Sequence, residues 1–325
     1  MSFTVKNIEA AAQILSDRQK AAENLRSERH REVKAKIPEI AAYEAQLAAS
    51  GLAVVKAFGM GKDAEEYIKG LSEINLTIQK KIKELLKANG YPENYLETPY
   101  TCKKCNDTGF NGAYGCSCRK QLLIDLAIKD LERVSPASRC RFDNFKLDYY
   151  SNAIDPKFKI SPREQMQIIF EYTKDYSADF DSKSGSLYLC GSTGLGKTHL
   201  SLAIANVVVR KGYNVIYDSA SNLFTRLEKE KFSNDKSGEA QEEMLNCDLL
   251  IIDDLGSEFS TQFTVSELYN ILNTRLNLAK PTIISTNLTE TELEAKYTQR
   301  VTSRIIGNFT PLQFIGRDIR QIINA

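Results

Sequence analysis

The sequence predicts an α/β domain with a parallel sheet in the C-terminal half of the chain, preceded by a helical region and a small cysteine-rich knuckle. Three observations carry that expectation. Four apolar runs, SLYLC, NVIYD, CDLLIID and PTIIST, alternate with helical stretches beyond residue 160, the pattern of βαβ units on a parallel sheet. The glycine-rich run GSTGLGKT stands between the first of these runs and the helical stretch HLSLAIANVVVRKG. Residues 1–97 are rich in Ala, Glu, Lys, Arg and Gln, all good helix formers.

A chain of 325 residues has room for two domains of roughly 150 residues each. Its 42% hydrophobic content and formal net charge of +1 exclude a mainly disordered chain, whose signature is weak hydrophobicity with unbalanced charge. With 43 Lys+Arg against 42 Asp+Glu, a uniformly basic nucleic-acid coat is excluded too, and any phosphate-binding surface has to be local. No run approaches the roughly 18–20 uninterrupted apolar residues of a membrane helix. The start, MSFTVKNIEAAAQ, lacks a basic flank followed by an apolar segment. The expectation is a cytoplasmic protein with no membrane partner.

Within the helical region 1–97, apolar residues are scattered at first: Ile8, Leu15, Leu25, Val33 and Ile37. Ile68, Leu71, Asn75, Ile78, Ile82 and Leu85 then recur at spacings of three and four, one apolar seam with an asparagine inside it. Gly90 and Pro92 end that helix. The segment SGLAVVKAFGMGKD, with three glycines, is expected to divide the region into a two-helix hairpin. The seam suits an intramolecular helix pair or, alternatively, a surface that binds a partner.

Residues 98–120, TPYTCKKCNDTGFNGAYGCSCRK, change character to Cys, Gly, Asn and Tyr. Cys102 and Cys105 form a CxxC pair and Cys116 and Cys118 a CxC pair, with glycines at 109, 112 and 115 between them. Four thiolates in one short loop suit a closed tetrahedral Zn²⁺ site of structural role. An iron–sulfur cluster, which uses four cysteines at other spacings, free thiols and a disulfide are the alternatives. Cys140, Cys190 and Cys247 are scattered.

Residues 121–160 read as a linker helix, LLIDLAIKDLERV, followed by RFDNFKLDYY and the breaker pairs Ser135-Pro136, Asp155-Pro156 and Ser161-Pro162. From 161 to 325 the chain is the α/β domain. Gly191, Ser192, Thr193, Gly194, Leu195, Gly196, Lys197 and Thr198 fit G-x-x-x-x-G-K-[ST] at every fixed position. The glycines let the backbone turn its N–H groups inward, and the helix starting there adds its positive end, making an anion cradle that also takes in His199. Lys197 is then expected to reach the β and γ phosphates of ATP, and the Thr198 hydroxyl to ligand Mg²⁺. LLIIDD ends a buried strand in two carboxylates. Asp253 is the expected Mg²⁺ holder and Asp254 the group that polarises the attacking water. Asn287, after PTIIST, either orients water at the γ-phosphate or starts the next helix as an Asx turn. Arg300 and Arg304 lie four apart on one helix face, and Arg317 and Arg320 form a second pair. Both pairs are solvated faces unless a neighbouring subunit uses them. Between the second strand and LLIIDD, Phe224, Arg226, Lys229, Lys231 and Phe232 interleave aromatics with charge. That suits a single-strand reader or, equally, an amphipathic helix whose phenylalanines are core.

In order, GSTGLGKT, LLIIDD, STN and SRI, with the final FIGRDIR, resemble the AAA+ ATPase core of bacterial helicase loaders of the DnaC and DnaI type and of their IstB-like relatives. The resemblance covers about residues 140–325, including RFDNFKLDYY. It implies that Gly191 to Thr198 is the Walker A loop, Asp253 and Asp254 the Walker B pair, Asn287 sensor 1, Arg304 an arginine finger and Arg320 the sensor 2 arginine. The family pair ends in Glu; Asp254 is one methylene shorter. Little chain follows GRDIR, so a helical lid, and the helix-turn-helix of DnaA-type initiators, are not expected. The implied function is ATP-dependent loading of a replicative DnaB-type helicase, with single-stranded DNA contact and self-association into a ring or helical oligomer. An IstB-like ATPase that assists a transposase is the alternative.

Overall fold

A computed structural model describes residues 3–57, 64–134, 139–232 and 238–323. The chain divides into two compact units, one of residues 12–119 and one of residues 1–11 with 120–325. The division therefore falls between Arg119 and Lys120 rather than near residue 160, and the 121–160 stretch belongs with the α/β unit. The physical reason is packing. Leu123, Ile124, Ala127 and Leu131 bury into the same core as the strands, as does Tyr150.

Helix α1 (Val5–Lys36) stops one residue short of Pro38, which opens α2 (Pro38–Ala57); α3 (Ala64–Ala88) follows. The hairpin expected from sequence is thus a set of three helices. Proline lacks the N–H a continuing helix needs and tolerates only a first-turn position. Gly51 lies inside α2; Gly59 and Gly61 lie outside the described residues, as does Ser135-Pro136. Helices α2 and α3 pack together, and the seam asparagine is satisfied within the chain, because the Ser50 hydroxyl donates to Asn75 Oδ1 at 2.7 Å. One polar pair in an apolar seam fixes the axial register of the two helices. Val33, Ile37, Ile40 and Leu86 form the buried cluster of this unit.

The knuckle carries a two-residue hairpin, β1 (Phe110–Asn111) against β2 (Tyr114–Gly115), turned at Gly112, whose φ is +61°. Helix α4 (Ser117–Val134) follows.

The larger unit is a five-stranded parallel sheet in the order β4–β5–β6–β3–β7, with β3 (Ser186–Cys190), β4 (Val215–Ser219), β5 (Leu249–Leu255), β6 (Thr282–Thr286) and β7 (Phe309–Gln313). Both faces are covered, which is why the strands read as continuous apolar runs. Leu187, Leu189, Leu249 and Ile251 face α5 (Pro162–Asp179) and α6 (Lys197–Arg210), whereas Tyr188, Leu250 and Ile252 face α7 (Ala220–Phe232), α9 (Gln262–Asn277) and α10 (Glu290–Asn308). Neighbouring residues of a strand point to opposite faces. The expected breaker Ser161-Pro162 starts α5: the Ser161 hydroxyl accepts from Glu164 N and Pro162 takes the first turn. Helix α8 (Glu239–Asn246) and a short α11 (Ile319–Ile323) complete the unit. No helix among the described residues is long and apolar enough to cross a membrane.

Arg275 is a fully buried cation that no motif marks. Its guanidinium donates to the carbonyls of Met244 (2.7 Å), Cys247 (3.1 Å) and Pro281 (2.6 Å) and to the Thr282 hydroxyl (2.9 Å), joining α8 to the start of β6. Burial pushes its pKa down. Arg275→Met keeps the volume and strands three buried carbonyls, so thermal unfolding is expected to show a loss of about 3–5 kcal/mol.

Candidate functional site

The parallel order sets the carboxyl ends of β3, β6 and β5 side by side, the position where open α/β sheets hold ligands. The phosphate-loop motif follows β3, Asp253 and Asp254 end β5, and Asn287 follows β6. Their side chains meet. Thr198 Oγ1 donates to Asp253 Oδ2 at 2.9 Å. Lys197 Nζ donates to Asn287 Oδ1 at 2.7 Å, and Asn287 Nδ2 donates to Asp254 Oδ1 at 2.8 Å. The Asx-turn alternative for Asn287 is displaced, because Thr289 caps α10 in a capping box with Glu292.

The loop conformation needs its glycines. Gly191, Gly194 and Gly196 have φ of +139°, +71° and +89°. A Cβ on Gly191 would stand 2.3 Å from the carbonyl oxygen of Phe314, main chain that cannot rotate away. Gly191→Ala is expected to cost at least about 2 kcal/mol, read as a fall of about 4–8 °C in unfolding temperature.

Lys197 is only 7% exposed. Its ammonium donates to the carbonyls of Gly191 (2.6 Å) and Ser192 (2.7 Å) as well as to Asn287. Burial lowers its pKa to about 8, opposed by the carboxylates of Asp254 and Asp253. Asp253 is held by three hydroxyls: besides Thr198, Tyr217 donates to Oδ2 at 2.7 Å and Ser285 to Oδ1 at 2.5 Å. Tyr217 and Ser285 were not legible as site residues, since nothing in a strand-like run distinguishes a hydroxyl that faces a carboxylate. Asp254 adopts a left-handed φ of +53° where the β5–β6 register shifts between Ile252 and Leu255. The irregularity turns its carboxylate out of the ladder toward Asn287.

Lys197, Thr198, Asp253, Asp254, Ser285 and Asn287 line a cleft of about 750 Å³. Its other wall is the RFDNFKLDYY segment, with Asn144, Phe145, Lys146, Tyr149 and Tyr150. Tyr150 donates to the Leu195 carbonyl at 3.0 Å. His199 lines the cleft, in a T-shaped contact with Phe145 and with a ring nitrogen 2.9 Å from the Arg141 carbonyl. Arg320 also reaches the cleft, paired with Asp318 at 2.8 Å; a Cβ on Gly194 would collide with that carboxylate.

Arg300, Arg304 and Arg317 are not among the cleft-lining residues. Arg300 is exposed on α10. Among the described residues, Arg304 Nε is a buried polar atom without a hydrogen-bond partner. In the insert the structure separates the two phenylalanines: Phe224 is core, 3% exposed, whereas Phe232 is 76% exposed. Arg226 is tied to Glu243 at 3.0 Å. Phe232 lies 5.8 Å from the Phe263 ring, with Lys231 over Phe263 at 4.4 Å.

The residues fit a nucleotide and a hard cation. The glycine loop at the start of α6 and the buried ammonium suit phosphates, and the oxygen-only pair Thr198 and Asp253 suits Mg²⁺. The knuckle fits a single Zn²⁺. The sulfurs of Cys102, Cys105, Cys116 and Cys118 lie within 4.8 Å of one another, with Cys102–Cys116 at 3.8 Å and Cys105–Cys118 at 3.4 Å. Four sulfurs at ~2.3 Å from one ion stand ~3.8 Å apart. The main-chain N–H of Cys118 lowers the Cys116 thiol to about 7, whereas burial raises the Cys118 thiol. Buried Asp107 takes the N–H groups of Thr101 and Cys102 at 2.8 Å each and ties down the loop's first turn.

Residues 146–307 match the family model described as IstB-like ATP binding protein. The replicative helicase loader DnaC of Escherichia coli K12 is 27% identical over 164 residues, 49% of this chain and 65% of that protein. The chain thus spans just under two thirds of the length of that relative. The phage-like element PBSX protein XkdC of Bacillus subtilis is 30% identical over 204 residues, 58% of this chain and 73% of that protein. Among solved structures, a DnaC helicase loader aligns over 56% of this chain and 100% of its own, at 22% identity and a TM-score of 0.46.

Proposed function

Because the chain belongs to the IstB-like ATP-binding family, we propose that it binds ATP with Mg²⁺ in the Lys197 cleft and hydrolyses it while loading a replicative DnaB-type helicase onto DNA. The observation that carries this reading is the convergence of Lys197, Thr198, Asp253, Asp254 and Asn287 at the ends of three neighbouring strands.

Each side chain then has a task. ATP supplies a phosphoanhydride whose γ-phosphoryl is the electrophile, and Mg²⁺ neutralises its charge. Lys197, drawn from its carbonyl ligands, binds the β and γ oxygens. Thr198 and Asp253 orient the metal, with Tyr217 and Ser285 fixing the Asp253 carboxylate. Asp254 accepts the proton of the attacking water, which Asn287 helps to orient. Phe145, Tyr149, Tyr150 and His199 offer an apolar wall for the base. Arg320 exchanges Asp318 for phosphate. Arg304, outside its own cleft and short of a partner at Nε, serves the site of a neighbouring subunit in a ring or helical assembly. Sustained Mg²⁺-dependent phosphate release tests the enzymatic part; stoichiometric nucleotide binding without turnover would make the protein a switch instead.

The loader role is supported by the DnaC similarity, with the three-helix and Zn²⁺ unit as the docking module. A second reading, an ATPase that assists a transposase, is favoured by the IstB-like description of the matching family. Pull-down of the purified chain with its host's replicative helicase, against the transposase of a neighbouring mobile element, decides between them. For single-stranded DNA the exposed pair Phe232 and Lys231 is the contact, and Phe224 is not. Stacking is worth about 1–3 kcal/mol per base, so Phe232→Ala is expected to weaken oligonucleotide binding roughly tenfold. Phe224→Ala should instead lower stability and leave the intrinsic affinity of the folded fraction unchanged.

A further inference from the structure

Helix α10 is interrupted. Thr298 has φ +74° and ψ 155°, outside helical values, and a β-branched residue keeps a positive φ only where its surroundings over-determine it. The break separates the half of α10 that ends at Tyr297 from the half that carries Arg300 and Arg304. What pins the first half is the loop that follows Leu255, the last residue of β5 and the one after Asp254.

Glu258 is the centre of that attachment. Its side chain is 3% exposed. One carboxylate oxygen, Oε2, accepts the N–H of Gly256 at 3.0 Å, two residues beyond Asp254. The other, Oε1, accepts the hydroxyl of the fully buried Tyr297, the residue before the break. Lys296 Nζ donates to the carbonyls of Gly256 (2.5 Å) and Glu258 (2.9 Å) and stands 3.8 Å from the same carboxylate. Ser260 Oγ donates back to the Lys296 carbonyl at 3.1 Å. Backbone strain therefore sits at both ends of the clamp, at Asp254 on the cleft side and at Thr298 on the arginine side. A buried carboxylate is expensive to keep without such partners, and here its two oxygens join two elements with different tasks.

We propose that Glu258 is a positioning residue that ties the cleft-facing end of β5 to Tyr297, immediately before the break at Thr298, so that the geometry at Asp254 sets, through that break, how Arg304 in the following half of α10 is offered to a neighbouring subunit. The proposal rests on the in-trans reading of Arg304. Shared connection between two sites is not yet coupling; a double-variant comparison measures it.

The test uses Tyr297→Phe, which removes one hydroxyl and keeps the ring that fills the core, with Glu258→Ala beside it and unfolding temperature as the check on folding. In the assembled full-length protein kcat for ATP is expected to fall on the order of tenfold or more in Tyr297→Phe, with KM within about twofold. Adding Arg304→Ala should then lower kcat no further than Arg304→Ala alone. Parental kcat in Tyr297→Phe, or losses that multiply in the double variant, overturns the coupling. Arg304→Ala at parental kcat removes the in-trans arginine instead, a different failure. A second readout needs no turnover: a non-hydrolysable ATP analogue with Mg²⁺ should slow amide exchange over residues 299–305 in the parent and not in Tyr297→Phe. An equal response in both proteins overturns the proposal.

Discussion

Lys197→Ala is expected to lower ATP affinity by at least about a hundredfold, the loss of two charge-assisted contacts to phosphate at about 1.5–3 kcal/mol each. Isothermal titration with Mg-ATP measures it, and unchanged affinity would show that the triphosphate sits elsewhere. A pH series sharpens the assignment. With a pKa near 8 in the free protein, the Lys197 amine is charged below that pH and largely neutral a unit above it. Phosphate favours the charged form, so binding above pH 8 has to take up a proton. Affinity should fall as pH rises, by up to about tenfold per unit, and this group should contribute no change below about pH 7. Lys197→Arg, charged throughout, should bind more weakly and lose the alkaline slope, because a guanidinium does not titrate in this range.

The other large effect concerns the knuckle. Structural Zn²⁺ contributes about 10–16 kcal/mol in small zinc modules, comparable with or greater than the whole stability of an ordinary domain, about 5–15 kcal/mol. Cys105→Ser should therefore abolish zinc retention, from one ion per chain to none by elemental analysis, and expose residues 98–120 to amide exchange. Nucleotide affinity should stay within about twofold, since the cleft draws no residue from that segment. Full zinc retention in Cys105→Ser would refute the four-cysteine ligand set, and visible absorption from the purified parent would point to iron and sulfide instead.

The cleft was largely readable in the sequence because its chemistry constrains short local patterns. A loop that presents N–H groups to phosphate needs glycines at fixed intervals, and two aspartates that end an apolar run cannot be core. The less legible parts depend on residues far apart in sequence. Tyr217 and Ser285 resemble ordinary strand residues until the parallel register sets them around Asp253. Arg275 reads as the polar face of α9, yet four acceptors bury it, two of them, the carbonyls of Met244 and Cys247, about thirty residues back in the chain. Phe224 and Phe232 look alike in an amphipathic pattern, and only the position of α7 on the sheet sends one inward. Pro38 marks the division of α1 from α2, since proline can open a helix but not continue one.

Strand β3, from which the phosphate loop springs, is flanked by β6 and β7, strands that lie about a hundred residues or more later in the sequence. The loop also leans on the main chain at Phe314. A ribosome has to make the chain through Phe314 before those supports exist, since the chain emerges amino end first. The phosphate loop should therefore reach its folded shape only after β6, β7 and Phe314 have left the ribosome.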